Sequence, residues 1–131
     1  MQQPFSLQGR VALITGGGTG IGFDIAKCFL AYGATVIITG RREDVLKEAV
    51  ANLGKGAHYA VNDVADLSLT SQLVAELVAK YGTIDILVNN AGINMKRPAV
   101  EVSDADFANI INVNLNAVFA LTREVGKHML E

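Results

Sequence analysis

Short apolar runs alternate along the chain with longer segments in which apolar residues recur every three or four positions. The short runs predict four β-strands, each with glycine or polar residues nearby, at residues 10–15, 35–39, 57–61 and 85–89. The runs at residues 11–14 and 84–88 are almost continuously apolar, which is expected of central strands buried on both faces. The alternation of strands with helices predicts an α/β fold in which helices cover a parallel sheet.

Four helices are predicted between and after the strands, at residues 20–32, 42–53, 67–81 and from 103 to the end of the chain. Gly33 is well placed to end the first helix, and the Ser103 hydroxyl can cap the fourth. In the first helix one stripe keeps helical spacing and is expected to face the core: Ile21, Ile25, Cys28, Phe29 and Tyr32. Cys28 is therefore predicted to be a buried packing residue and not a nucleophile.

The composition restricts the class of protein. The 131 residues fit one domain, a single unit over residues 1–131. Half of them are hydrophobic and the formal net charge is −2, which argues against disorder and against nucleic-acid binding. No stretch approaches the roughly 18 consecutive apolar residues of a membrane span, and the chain starts without a secretion signal pattern. A cytoplasmic protein without a membrane partner is therefore expected, and the single cysteine fits a reducing compartment.

The two histidines are the remaining candidates for metal ligands. His58 and His128 lie far apart in the sequence, and neither has a cysteine or carboxylate at ligand spacing around it. No metal site is therefore predicted.

A glycine-rich turn joins the first predicted strand to the first helix. Its spacing, Gly16-x3-Gly20-x-Gly22, differs from the commoner G-x-G-x-x-G dinucleotide fingerprint. Such a turn needs positive φ, and glycine lets a pyrophosphate approach the backbone and the unpaired N–H groups at the helix start. Glycine-rich turns also serve as plain connectors between elements. If the turn binds phosphate, the residues expected to do so are Gly16, Gly18, Thr19, Gly20, Ile21 and Gly22.

Four motifs, in order, resemble those of the short-chain dehydrogenase/reductase family. They are the Thr-Gly-x3-Gly-x-Gly loop at residues 15–22, Asn62-Asp63-Val64, Asn89-Asn90-Ala91-Gly92 and Asn112-Val113-Asn114. The resemblance covers the whole chain and implies the N-terminal half of a Rossmann-type doubly wound parallel sheet. It also implies hydride transfer between NAD(P)(H) and a small carbonyl or secondary alcohol substrate.

The resemblance assigns roles to the second and third motifs. The Asp63 carboxylate would accept from the adenine amine while Val64 supplies backbone contacts, and the alternative is that Asp63 caps the next helix. Asn90, Ala91 and Gly92 would line the cofactor and steady the sheet, with a hairpin turn as the alternative.

The residues after the second strand bear on the choice of cofactor. In NAD-binding units an acidic residue about 20 positions beyond the glycines commonly receives the ribose hydroxyls, but here Arg41 and Arg42 follow the strand. A guanidinium can pair with the additional 2′-phosphate of NADP, and the resemblance points the same way. NADP is therefore the predicted cofactor and NAD the less favoured one. The alternative is that both arginines are solvated charges balanced by Glu43 and Asp44.

An asparagine falls on the apolar stripe of the fourth predicted helix. The stripe consists of Phe107, Ile110, Ile111, Val118, Leu121 and Val125. Asn114 shares its spacing, and a buried amide without partners costs about 1–3 kcal/mol. Asn114 either bonds a neighbouring backbone carbonyl or, as the resemblance implies, is the catalytic asparagine that holds a water linking the active-site lysine to solvent. A kinked helix would allow both.

The rest of the family's catalytic set is a serine, a tyrosine and a lysine four positions after the tyrosine. The residues four positions after Tyr32, Tyr59 and Tyr81 are Val36, Asp63 and Asp85, so no tyrosine of the chain supplies the pair. The chain is expected to be an incomplete domain that is inactive alone and leaves its fourth strand and the helix stripe uncovered. The full-length protein is expected to be a homo-oligomer, a tetramer by resemblance.

The loop at residues 92–98 bears on the substrate. It looks more like that of sugar-acid or polyol dehydrogenases of the gluconate 5-dehydrogenase kind than that of 3-oxoacyl-carrier-protein reductases, the alternative. Lys96 and Arg97 either attract an acidic substrate or belong to a solvated loop. The alternative from another class of protein is a non-catalytic nucleotide-binding or scaffold fragment.

Overall fold

A computed structural model describes residues 4–131. The strands are β1 Val11–Thr15, β2 Thr35–Gly40, β3 Ala57–Val61 and β4 Ile86–Val88. The α-helices are α1 Gly20–Ala31, α2 Glu43–Leu53, α3 Thr70–Tyr81, α4 Asp104–Ile111 and α5 Ala117–Met129. Short 3-10 helices cover Leu67–Leu69 and Ala99–Glu101, and a π-helical turn covers Asn112–Asn116.

The four strands form one parallel sheet in the order β3-β2-β1-β4. Alternate residues of β1 and β2 enter two apolar clusters, one under α1 and α2 and the other under α3 and α5. The predicted α/β fold with a helix-covered parallel sheet is therefore confirmed. β1 is buried throughout, whereas β4 is only partly buried at an edge of the sheet that residues 4–131 form, where an uncovered fourth strand is expected from the sequence.

Only part of the predicted stripe of the first helix packs on the core. Ile25 and Phe29 are half-buried against it, whereas Cys28 is exposed and Ile21 is 74% exposed, so the predicted burial of Cys28 is wrong. The buried residues of α1 are Gly22 and Ala26. These small residues let the helix approach the sheet closely, and the larger side chains of Phe23, Ile25, Phe29 and Leu30 pack against the core around them.

The fourth predicted helix is divided by the π-turn into α4 and α5. Phe107 is 60% exposed, whereas Leu121 and Val125 are buried. The additional residue in a π-turn rotates the helix before the turn relative to the helix after it, so one straight stripe cannot stay buried over both. Asn114 lies in the turn and is exposed, which corrects the predicted burial of its amide. Over residues 4–131, no helix has the length and apolar character needed to cross a membrane.

Candidate functional site

A cleft of about 560 Å³ lies where the four strands end at their carboxyl sides. This volume falls within the range of roughly 300–1,000 Å³ found for small-molecule sites. The cleft is lined by most of the residues that the sequence singles out, namely Gly16, Gly18, Thr19, Gly20, Ile21, Arg41, Arg42, Asp63, Val64, Asn90, Ala91 and Gly92. Gly22 and Asn114 do not line the cleft themselves. Gly22 packs against Gly16 and Asn114 packs against Gly92, both of which are lining residues.

The glycines of the loop after β1 serve different purposes. Gly16 and Gly20 have φ of +64° and +55°, a backbone conformation that side chains with a Cβ rarely adopt. Gly22 is required by packing, because a Cβ there would overlap the carbonyl oxygen of Gly16. Gly17, which the sequence prediction leaves out, packs its backbone against the side chain of Ile38.

The N-terminus of α1 faces this cleft without a capping side chain. Thr19 occupies the N-cap position but its hydroxyl makes no capping hydrogen bond, and the first turn contains no acidic residue. The first helical bond of α1 runs from the N–H of Phe23 to the carbonyl of Thr19, at 3.2 Å. The N–H groups of Gly20, Ile21 and Gly22 precede that bond and have no partner inside the helix. Such a terminus attracts anions, phosphates among them.

A set of hydrogen bonds fastens the loop after β4 to the end of β1. The Thr15 hydroxyl oxygen accepts from the N–H groups of Asn90 and Ala91, both at 3.0 Å. The Asn90 amide donates to the carbonyls of Thr15 and Gly16, both at 3.1 Å. Because each loop satisfies the other's backbone groups, this wall of the cleft is held in one arrangement.

Thr15→Val is expected to lower the free energy of unfolding by about 2 kcal/mol, since the Ala91 N–H loses its acceptor and the Asn90 N–H keeps only the Val88 carbonyl, at 3.1 Å. Thr15 is 2% exposed, so water cannot readily replace the hydroxyl. Chemical denaturation measures the change. The matched control is Thr39→Val, because Thr39 pairs with Thr15 across the strands, is 1% exposed, and its hydroxyl has no partner among residues 4–131. Equal losses in the two variants would contradict the prediction.

Two exposed arginines follow β2 at the rim of the cleft. Neither Arg41 nor Arg42 forms an ion pair with a carboxylate of residues 4–131. Glu43, which the sequence offers as a balancing charge, pairs with Lys47 at 3.4 Å and accepts from the Tyr59 hydroxyl at 3.1 Å. The guanidinium groups therefore remain available to a ligand.

The loop after β3 forms the adjoining wall. Asp63 accepts from the N–H of Ala65 at 3.0 Å, within its own turn. The helical turn that follows is capped by Asp66, whose carboxylate accepts from the N–H of Ser68 at 3.1 Å, so the alternative in which Asp63 caps the next helix is wrong. Asn62 and Ala65 also line the cleft. Asn62 is the first residue of the Asn62-Asp63-Val64 motif, in which a ligand role is predicted from the sequence only for Asp63 and Val64.

Two asparagines of the π-turn contact the walls of the cleft. The Asn114 amide oxygen accepts from the N–H of Ile93 at 3.0 Å, and its amide nitrogen donates to the carbonyl of Ile93 at 2.8 Å. A backbone-bonding role of Asn114 is therefore observed, while its catalytic role stays a prediction. The Asn112 amide donates to the carbonyl of Ala65 at 2.9 Å, a contact that the sequence did not indicate.

The chain is similar in sequence to proteins of one known family. The family model described as short chain dehydrogenase matches residues 10–131. The chain belongs to this family. Gluconate 5-dehydrogenase of Gluconobacter oxydans is 40% identical over 129 residues, which is 96% of this chain and 50% of that protein. D-threitol dehydrogenase of Mycolicibacterium smegmatis is 38% identical over 130 residues, 97% of this chain and 50% of that protein.

A solved structure agrees with these relatives. The 3-ketoacyl-(acyl-carrier-protein) reductase from Brucella melitensis, complexed with NADH, superposes with a TM-score of 0.89 at 37% identity. The match covers 94% of this chain and 51% of that one. The chain therefore spans about half the length of the relatives it matches, and the predicted resemblance to the short-chain dehydrogenase family is confirmed.

In this short-chain dehydrogenase chain the cleft is lined by no tyrosine of residues 4–131. Partial burial, and then the hydrogen bond to Glu43, raise the pKa of Tyr59, which disfavours the ionised form that a tyrosine base requires. Tyr81 stacks on His58 with ring centroids 5.0 Å apart. The described residues thus form a binding cleft without a tyrosine and lysine pair beside it. Residues 4–131 also contain no group of three His, Cys, Asp or Glu side chains arranged to hold a metal.

Proposed function

We propose that the protein is an oxidoreductase that transfers hydride between NADP(H) and a carbonyl or secondary alcohol of a small molecule. The observation that carries this proposal is the cleft in which the uncapped terminus of α1 and two unpaired arginines lie on one rim. Membership of the short-chain dehydrogenase family supports it, since that family binds NAD(P).

The lining fits an extended dinucleotide. The pyrophosphate would lie at the N–H groups that begin α1, beside Gly16 and Gly20, where no Cβ obstructs its approach. The adenosine would lie toward Asp63 and Val64. The nicotinamide would lie toward the loop that the Thr15 and Asn90 bonds hold in place. The bound dinucleotide supplies the hydride, and the residues of this chain bind and orient it.

NADP is favoured over NAD by the charge at the end of β2. Two guanidinium groups that line the cleft without a carboxylate partner among residues 4–131 suit a 2′-phosphate. NAD is the competing cofactor, since the relative from Brucella melitensis is complexed with NADH.

For the substrate we propose a sugar acid or polyol, as in the names of the two curated relatives, with a 3-oxoacyl thioester of acyl-carrier protein as the alternative. Arg97 pairs with Asp106 at 3.6 Å, which withdraws one of the two cations of the loop after β4 from a substrate anion. Lys96 has no ion-pair partner among residues 4–131 and is the cation of this loop that remains available.

A second candidate is a non-catalytic nucleotide-binding or scaffold protein, favoured by the cleft lining of residues 4–131, which contains no tyrosine. We further propose a cytoplasmic homo-oligomer, a tetramer, in which a neighbouring subunit covers the exposed Phe107, Leu115 and Phe119.

Hydride transfer is tested on the full-length protein by following the absorbance of reduced nicotinamide. NADPH is offered with a keto-gluconate, with the ketose of a tetritol and with a 3-oxoacyl thioester. Oxidation with the first or second and not the third is the expected result. Binding of NADPH without turnover of any of the three would favour the non-catalytic candidate, and failure to bind either NADPH or NADH would overturn the proposal.

A further inference from the structure

The loop of residues 62–66 forms the wall of the cleft next to the two arginines. Asn62, at its start, is fixed to the sheet because its N–H donates to the carbonyl of Gly40 at 2.9 Å. Beyond that point the bonds are local: the N–H groups of Ala65 and Asp66 donate to the Asp63 carboxylate and carbonyl, both at 3.0 Å. The loop's own bonds set its shape but not its position against the rest of the molecule.

One hydrogen bond connects this loop to a distant part of the chain. The Asn112 amide donates to the Ala65 carbonyl at 2.9 Å. Among residues 4–131, the other hydrogen bonds of residues 63–66 stay within residues 62–69. Asn112 is partly buried, so water competes for this bond less than at an exposed site.

The geometry of the turn explains why one segment contacts two opposite walls. Successive helical residues are about 100° apart around the axis, so residues two apart diverge by about 200°. Val113 points to the cleft, is 7% exposed and lines it, while Asn112 and Asn114 lie on either side. Asn112 contacts the wall after β3, and Asn114 contacts Ile93 in the wall after β4.

We propose that Asn112 is a positioning residue for the adenosine half of the dinucleotide. Its amide holds Ala65, and through Ala65 the preceding Asp63 and Val64, in the arrangement that the adenosine meets. Without that bond the wall has to be ordered when the ligand binds, and this cost appears as lost affinity. The assignment rests on the proposed dinucleotide-binding function. Asn114, on the opposite wall, is expected to affect the nicotinamide half instead.

Isothermal titration of the full-length protein tests this assignment with NADPH, adenosine 2′,5′-bisphosphate and reduced nicotinamide mononucleotide. In Asn112→Ala the Kd of NADPH and of the bisphosphate is expected to rise about tenfold, as for the loss of one hydrogen bond, with that of the mononucleotide unchanged. Asn112→Asp should lose as much, since a carboxylate of the same size cannot donate to the Ala65 carbonyl. The control is Asn52→Ala, which removes an exposed amide on α2 that does not line the cleft.

Equal loss for both half-ligands would indicate a general structural role and overturn the assignment. Full binding of NADPH by Asn112→Asp, or a matching loss of affinity in Asn52→Ala, would overturn it as well. If the wild-type protein binds NADPH and Asn112→Ala binds it equally well, the assignment alone fails. If the wild-type protein binds neither NADPH nor NADH, the proposed function fails and the assignment fails with it.

Discussion

Gly22→Ala is expected to lower the free energy of unfolding by about 3 kcal/mol, at the upper end of what overpacking costs. The added Cβ would overlap the Gly16 carbonyl oxygen and crowd the Asn90 amide. Since the Gly16 oxygen belongs to backbone that Asn90 also holds, the clash cannot be relieved by turning one side chain. The glycine loop would move from the start of α1, so weaker binding of NADPH should accompany the loss of stability.

The matched control is Gly126→Ala, the same substitution at a glycine within α5. Nothing lies within 4 Å of a Cβ built there, and the backbone is helical. Alanine should therefore stabilise the protein by up to about 1 kcal/mol through its helix propensity. Urea denaturation of both variants compares the two effects. A Gly22→Ala protein as stable as wild type would show that the close approach of α1 to the glycine loop is not as described.

Arg41→Asp is expected to weaken NADPH binding about 100-fold, because one or two charge-assisted hydrogen bonds are replaced by repulsion of the 2′-phosphate. NADH binding should tighten, since a carboxylate can now accept from the ribose hydroxyls. Fluorescence titration of the full-length protein with each reduced cofactor measures both changes.

The control for this charge reversal is Lys55→Asp, at an exposed cation in the loop between α2 and β3 that does not line the cleft. It changes the net charge equally and should leave the ratio of the two affinities as it is in the wild type. Tighter binding of NADH than of NADPH by the wild-type protein would refute the NADP assignment. Unchanged NADPH affinity in Arg41→Asp would place the 2′-phosphate elsewhere.

Local patterns predicted the framework of the cleft. The apolar run of β1 and the glycine spacing after it predict a buried strand that turns sharply into a helix, and Val11–Thr15 followed by α1 from Gly20 has this arrangement. The family resemblance assigns the polar motifs after β3 and β4 to one cofactor site, and their residues line one cleft. These predictions succeed because strand burial and turn geometry depend on residues adjacent in the chain.

Side-chain partners were less predictable. Asp63 and Asp66 are both acids near a helix start, and spacing alone did not show that Asp66 caps the turn while Asp63 bonds within its own. The sequence offers Glu43 as a charge that balances the two arginines. In the structure this carboxylate accepts from the hydroxyl of Tyr59, which lies in β3. A polar side chain takes the partner that folding brings near, and that partner is often distant in sequence.

The sequence by itself determined the strands, the glycine turn, the family motifs and the arginines in place of an acid after β2. Only the tertiary structure decided which residues of α1 are fully buried, because these are Gly22 and Ala26, which carry almost no hydrophobic signal. It also decided the position of the π-turn and the contacts of Asn112 and Asn114 with opposite walls of the cleft. Hydrophobic periodicity assumes a regular helix with large buried side chains. The π-turn beside the cleft is not a regular helix, and the fully buried residues of α1 are small.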